Sequence, residues 1–274
     1  MLRISMCLLL INVMWSCEEG KPTSKPAQKS IMDSIPQTPS KEAVLFKVGR
    51  KGDLKEAVLP LVRQLLQIGV DENFEITIYE QNLNEDNIPD AIVTVNRYQN
   101  AIESAKRANQ LEKQAANGFM GQHNHFFFYD GKTDQLTNPI TIGSTPHLPL
   151  EVRFEPITSE AYSDVIISHR VRNSAYQTFY TIRGKKPEPY FGFDVYNNLG
   201  TSEEKSYYLS FQKTEKFKEK IIEVYEGKAS YPDTTSFFHL AKPTISKGNQ
   251  KLYTFFYLEA IKKYAMLKPQ PNHG

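Results

Sequence analysis

Apolar positions along this chain follow two periods, and the period changes from segment to segment. Over "GDLKEAVLPLVRQLLQIG", Leu54, Val58, Leu61, Val62, Leu65 and Ile68 recur at helical steps, which predicts a helix with one apolar face. Asp53 is placed to cap its start and Gly69 to follow its end, while Pro60 predicts a kink or split. "FEITIY" then alternates Phe74, Ile76 and Ile78 with Glu75, Thr77 and Tyr79, and "AIVTV" follows soon after. The pair predicts a β-hairpin with the polar loop "NLNEDNIPD" at its tip. "NAIESAKRANQLEKQAANG" returns to helical spacing, with a thin stripe of Ile102, Ala105, Ala108, Leu111 and Ala115, a Glu103–Arg107 pair and Gly118 as a stop. A helix this polar is expected on the surface, inserted off the sheet. "HFFFYDGKTDQL" predicts a hairpin at Asp130-Gly131, and "LEVRFEP", "SDVIISHRV", "YQTFYTIRG", "PYFGFDVYN" and "SYYLSFQ" keep strand character.

The last third changes style. "TEKFKEKIIEVYEG" is compatible with a helix through Phe217, Ile221, Val224 and Tyr225, or in part with a strand. "QKLYTFFYLEAIKKYAML" predicts a helix with Tyr253, Phe256, Tyr257, Ala260, Ile261 and Tyr264 on one face and Pro269 beyond its end. The expected class is therefore α+β: a mainly antiparallel sheet with helices near both ends and one inserted surface helix. A repeat is also suggested. "EQNLNEDNIPDAIVTVNR" and "FEPITSEAYSDVIISHRV" align with Asp90 over Asp164, each Asp just before a β-branched run.

The N-terminus reads differently from the rest. Arg3 precedes an apolar run that ends at Trp15, too short to span a bilayer but of the form of a secretory signal. It closes in Met14-Trp15-Ser16-Cys17, which resembles the lipobox of bacterial lipoproteins, where a small residue precedes the cysteine that is lipidated. Ser16 and Cys17 fit; Trp15 and Met14 are departures. An ordinary cleaved signal with an incidental cysteine is the alternative. The chain has two cysteines, and Cys7 lies inside the leader, so a secreted form keeps Cys17 alone. Residues 20–42 hold four prolines with many Ser and Lys, a composition that buries too little to fold and reads as a tether. The expected organisation is a signal peptide over residues 1–16, a lipidated Cys17 and tether to 42, one globular domain over 43–268, and a tail from 269 to 274. Glu18 and Glu19 resemble a surface-display signal, so the anchor would lie in the outer membrane, facing either the periplasm or the cell surface.

Net charge is +2, which suggests no basic nucleic-acid face. The one tryptophan, Trp15, lies in the leader, a mild argument against a carbohydrate platform.

One loop carries candidate chemistry. "NLNEDNIPDAIV" resembles the D-x-N-x-D-G-x-x-D calcium loop of FG-GAP/VCBS-type repeats. That resemblance implies side-chain oxygens from Asn82, Asn84, Asp86 and Asp90 and the carbonyl of Ile88 around Ca²⁺. Asn87 stands at the usual glycine, where Asn tolerates a left-handed turn. Asn82 in place of Asp removes a charge, so any binding is expected in the weak extracellular range of about 10⁻⁴ to 10⁻³ M. The same residues also build Asx-turns that hold a tight loop without metal. The second copy has Pro156, Thr158 and Glu160 at matching places and lacks the ligand set.

His123 and His125 are expected on one strand face at a spacing that suits zinc, with no third ligand nearby. Asp164, Asp194 and Glu155 could include an acid/base pair. No G-x-S-x-G, P-loop, H-E-x-x-H or G-x-G-x-x-G is present. The expectation is a lipid-anchored envelope protein that binds or assembles with an envelope partner. The competing class is a metal- or carboxylate-dependent hydrolase of envelope or extracellular glycans.

Overall fold

A computed structural model describes residues 44–232 and 240–266. The expected signal peptide, Cys17, the expected tether and the expected C-terminal tail lie outside the described residues.

The first sheet is built from residues 45–144. Its order is β1 (Leu45–Lys47), β5 (Gln135–Thr137), β4 (Gly121–Asp130), β3 (Asp90–Asn96) and β2 (Glu75–Gln81), with β6 (Ile140–Ser144) also paired to β4. Helix α1 (Leu54–Leu65) lies on one face, where Leu54, Val58 and Val62 pack against Val93, Val95, Phe127 and Leu136. The cap is the expected one: Asp53 Oδ1 accepts the Glu56 N–H at 3.0 Å. The helix continues through Pro60, which is exposed.

The predicted surface helix is two shorter ones, α2 (Tyr98–Arg107) and α3 (Leu111–Ala116), separated at Asn109, whose φ is 51°. Glu103 pairs with Lys106 at 3.1 Å, where Arg107 was expected.

The second sheet is an eight-stranded antiparallel meander: β7 (Glu151–Glu155), β8 (Asp164–Val171), β9 (Ser174–Arg183), β10 (Lys186–Asn197), β11 (Lys205–Thr214), β12 (Phe217–Ser230), β13 (Thr244–Leu258) and β14 (Lys263–Ala265). Alternation sends successive residues to opposite faces. Val165, Ile167 and Tyr180 therefore meet Ile92, Phe126 and Phe128 of the first sheet. Their neighbours Ile166 and Phe179 face a second core with Tyr190, Phe191, Phe193, Ile222, Val224 and Tyr264. Strands β10 and β11 pair only at Tyr196–Ser206 and Asn197–Lys205. Beyond that junction the later strands fold back over the earlier ones: the Phe191 and Phe255 rings lie 4.9 Å apart, and the Lys220 N–H donates to the Ile157 carbonyl.

This architecture corrects the α+β expectation. Of the described residues, 52% are strand and 13% helix, so the described fold is nearly all-β, and its three helices all lie in the first half of the chain. The expected C-terminal helix is β13, a turn and β14. Its stripe misled because 252–258, "LYTFFYL", is apolar at every position but Thr254, and an unbroken apolar run fits either period. In the strand, Tyr253, Phe255 and Tyr257 face the core, while Ile261, counted on the helical face, is 50% exposed in the turn. The ambiguous "KFKEKIIEVYEG" is likewise strand, with Ile222 and Val224 inward.

Candidate functional site

The loop between β2 and β3 and its counterpart between β7 and β8 are built alike and touch. Each ends in an Asp that opens a buried strand, and both carboxyls are wholly buried. Asp90 accepts from Asn84 Nδ2, six residues back, at 2.8 Å, and the Leu83 N–H, seven back, also faces it. Asp164 accepts from the Thr158 hydroxyl, six back, at 2.8 Å, from the Thr158 N–H at 2.6 Å, and from the Ile157 N–H, seven back, at 3.1 Å. Leu83 and Ile157 are buried at matching positions. The equal spacing supports the internal repeat aligned on these two aspartates. Between the loops, the Ser163 N–H donates to the Asn82 carbonyl at 3.1 Å, and Asn82 Nδ2 donates to the Ala161 carbonyl at 3.4 Å.

The five residues expected to surround calcium lie together in the first loop, and their polar groups are largely committed. Asn84 Oδ1 accepts the Asp86 N–H at 2.8 Å, and Asp86 Oδ1 accepts the Ile88 N–H at 2.9 Å. These are Asx-turns. Asn87 takes φ of 59°, as the resemblance implies. Asn82 Oδ1 is buried with no hydrogen-bond partner. Asn84 presents its amide nitrogen to Asp90, where a cation would need an oxygen. Among the described residues no three His, Cys, Asp or Glu side chains converge as a metal site. As placed, Asn84 presents nitrogen rather than oxygen beside Asp90.

Two residues that motif reading missed complete the site. Gly131 donates its N–H to Asp90 Oδ1 at 3.0 Å, and a Cβ there would lie 2.0 Å from the Pro89 carbonyl oxygen. Only glycine lets the β4–β5 turn come this close. Asp130 brings a third carboxylate, held by the Thr133 N–H and hydroxyl and 3.7 Å from Lys185 Nζ. The Asp-Gly pair was legible as a turn, but nothing local linked it to a loop forty residues away. Burial pushes Asp90 up to about 6, and the negative charges of Asp86 and Asp130 add to it; the N–H groups of Gly131 and Leu83 act the other way. Asp164 is raised by burial against the opposing Thr158 and Ile157 donors. The Tyr190 hydroxyl lies beside Asp164 without a well-formed hydrogen bond and is raised well above its ordinary range, first by burial.

The other candidates are separate. His123 and His125 share one face of β4, as alternation requires. His125 Nδ1 lies 3.0 Å from Thr141 Oγ1, and its Nε2 is buried without a partner. Burial, then the nearby Arg97 charge, lowers His125 to about 4, and the same two causes lower His123. A dication there would meet the field of Arg97, itself paired with Glu72 at 2.6 Å. Asp194 accepts from Asn197, and Glu155 lies 3.7 Å from Lys220, so with Asp164 turned inward these three acids form no acid/base pair.

Two clefts flank α2. One of about 370 Å³ is lined by Asp71, Glu72, Asn100, Glu103 and Arg107; one of about 200 Å³ is lined by Phe119, Met120 and His123 with the small face of α2. Neither includes the paired-loop aspartates. Comparison with protein-family models, curated proteins and solved structures gave no match.

Proposed function

We propose that this chain is a lipid-anchored outer-membrane protein whose β domain binds or assembles with an envelope partner and carries out no chemistry of its own. The observation behind the reading is the order of segments. An apolar run closes on Cys17, a stretch with four prolines follows over residues 20–42, and the helix and strand patterns of the sequence come after it. This order suits a domain held off a membrane by a tether.

The hydrolase reading requires a cleft that joins Asp86 or Asp90 to a second acid and a histidine. Asp86, Asp90 and Asp130 do interact, but Asp90 is buried and held by Asn84 and the Gly131 N–H, and Asp130 is buried and held by Thr133. Such carboxylates brace a fold more readily than they move protons to a substrate. The geometry therefore favours binding over catalysis.

The test is metabolic labelling with a palmitate analogue and membrane fractionation of wild type and Cys17→Ala. The expected result is label and outer-membrane recovery for wild type, with both lost in the variant. Equal behaviour of the two chains would defeat the anchor reading. Protease treatment of whole cells then reports whether the domain faces outward.

A further inference from the structure

Charge in the folded part is segregated along the sequence. Among the described residues, 44–204 carry 16 basic and 21 acidic side chains, whereas 205–232 and 240–265, which include β11–β14, carry 11 basic and 5 acidic ones, every base a lysine. Such asymmetry within one chain points to a polyanionic partner or a membrane surface.

Two turns lie at one end of this lysine-rich unit. Glu215-Lys216 joins β11 to β12, and Glu259–Lys262 joins β13 to β14. The Ile222–Phe255 register brings the start of β12 alongside the end of β13, so the turns are neighbours. Phe217 is 38% exposed at the first, Ile261 is 50% exposed at the second, and Met266 follows β14 at 53%. The Phe217 ring is supported from below by Phe256, at 5.3 Å.

Lysines flank these apolar side chains in sequence: Lys216 and Lys218 about Phe217, Lys262 and Lys263 after Ile261. Among the described residues these four form no ion pair, whereas Lys213 and Lys220 are paired to Glu160 and Glu155. Glu215, Glu219 and Glu259 share the same end and temper the field. Large apolar side chains beside long cationic stems match a bilayer interface, where the ring or branched chain enters the acyl boundary and the ammonium groups reach the phosphates.

We propose that the paired β11–β12 and β13–β14 turns dock on an anionic phospholipid surface, with Phe217 and Ile261 inserted and Lys216, Lys218 and Lys262 at the headgroups. The contact goes beyond the lipid anchor, since it would set which end of the domain faces the bilayer, and its test does not depend on the anchor.

The experiment uses residues 17–274 with Cys17→Ser, which include every described residue and carry no lipid. The chain is sedimented with vesicles of phosphatidylcholine alone and of phosphatidylcholine with phosphatidylglycerol. The expected result is binding to the anionic vesicles, weakened by added salt. Phe217→Ser/Ile261→Ser should weaken partitioning by about tenfold or more. Lys216→Glu/Lys218→Glu/Lys262→Glu should remove the preference for anionic lipid. All substituted positions are exposed or at turns, and an unchanged far-ultraviolet melt verifies folding; Met266→Ser is the milder second variant, expected to weaken binding less. Failure of wild type to sediment with either vesicle would overturn the proposal. So would equal binding by wild type and all variants, or capture by a soluble polyanion such as heparin with no vesicle binding.

Discussion

Replacing Asp90 by Asn should change stability with opposite sign at the two ends of the pH range. The folded protein raises this carboxyl from 3.8 to about 6, so it holds the proton more tightly than the unfolded chain does. Asp90 therefore favours folding most below about pH 4, and that contribution is lost as pH rises through about 6. Roughly two units at about 1.4 kcal/mol each make the ionised carboxylate cost about 3 kcal/mol above that range. Asn carries no charge and escapes this cost. It also offers one oxygen to three donors, Asn84 Nδ2 and the Gly131 and Leu83 N–H groups, which sacrifices a hydrogen bond of about 1 kcal/mol. Asp90→Asn should then be more stable than wild type by about 1–2 kcal/mol near about pH 8 and less stable by about 1 kcal/mol below about pH 4. Urea unfolding of residues 17–274 at both pH values measures this, followed by far-ultraviolet circular dichroism because residues 17–274 contain no tryptophan. A stability difference of one sign and size at both pH values would refute the assignment of a strained carboxylate to Asp90.

Three further outcomes follow from the same geometry. Calcium or chelator should leave the wild-type melting midpoint unchanged, because the Asn84 amide already satisfies Asp90; Asn84→Asp supplies an oxygen and a charge instead and should make the midpoint rise with calcium. Asp164→Ala strands the Ile157 N–H and the Thr158 N–H and hydroxyl in the core, and thermal or urea unfolding should show a loss of about 3 kcal/mol or more, with Asp164→Asn milder. His169, stacked on Tyr176 at 5.6 Å, is lowered by burial to about 4. Its neutral form supports folding above about pH 6.5, and that support is lost as pH falls toward about 4, so His169→Phe should flatten the acid side of the stability profile by up to about 3 kcal/mol.

Much of the first half was legible locally. The α1 stripe, its Asp53 cap and the period-two alternation of β2 depend on residues within a few positions of one another. The tip loop was also readable, because Asx-turns are set by side chains two residues from the N–H they accept. The helical reading of β13 failed because an unbroken aromatic run has no period of its own. What settles it is pairing: β12 supplies hydrogen bonds along nearly the whole strand, and Phe191 and Phe193 supply the rings against which Phe255 packs.

The sequence by itself determined the apolar run that closes on Cys17, the residues able to turn, and the alternation of most strands, all of which rest on short-range chemistry. Tertiary structure alone decided that two loops some seventy residues apart would lie against each other, each closed by a buried Asp. It decided that Gly131 would sit beneath Pro89, that Asn84 would turn its amide toward Asp90, and that the turns bearing Phe217 and Ile261 would be neighbours. Burial and long-range register produce each of these, and neither is a property of any local stretch of chain.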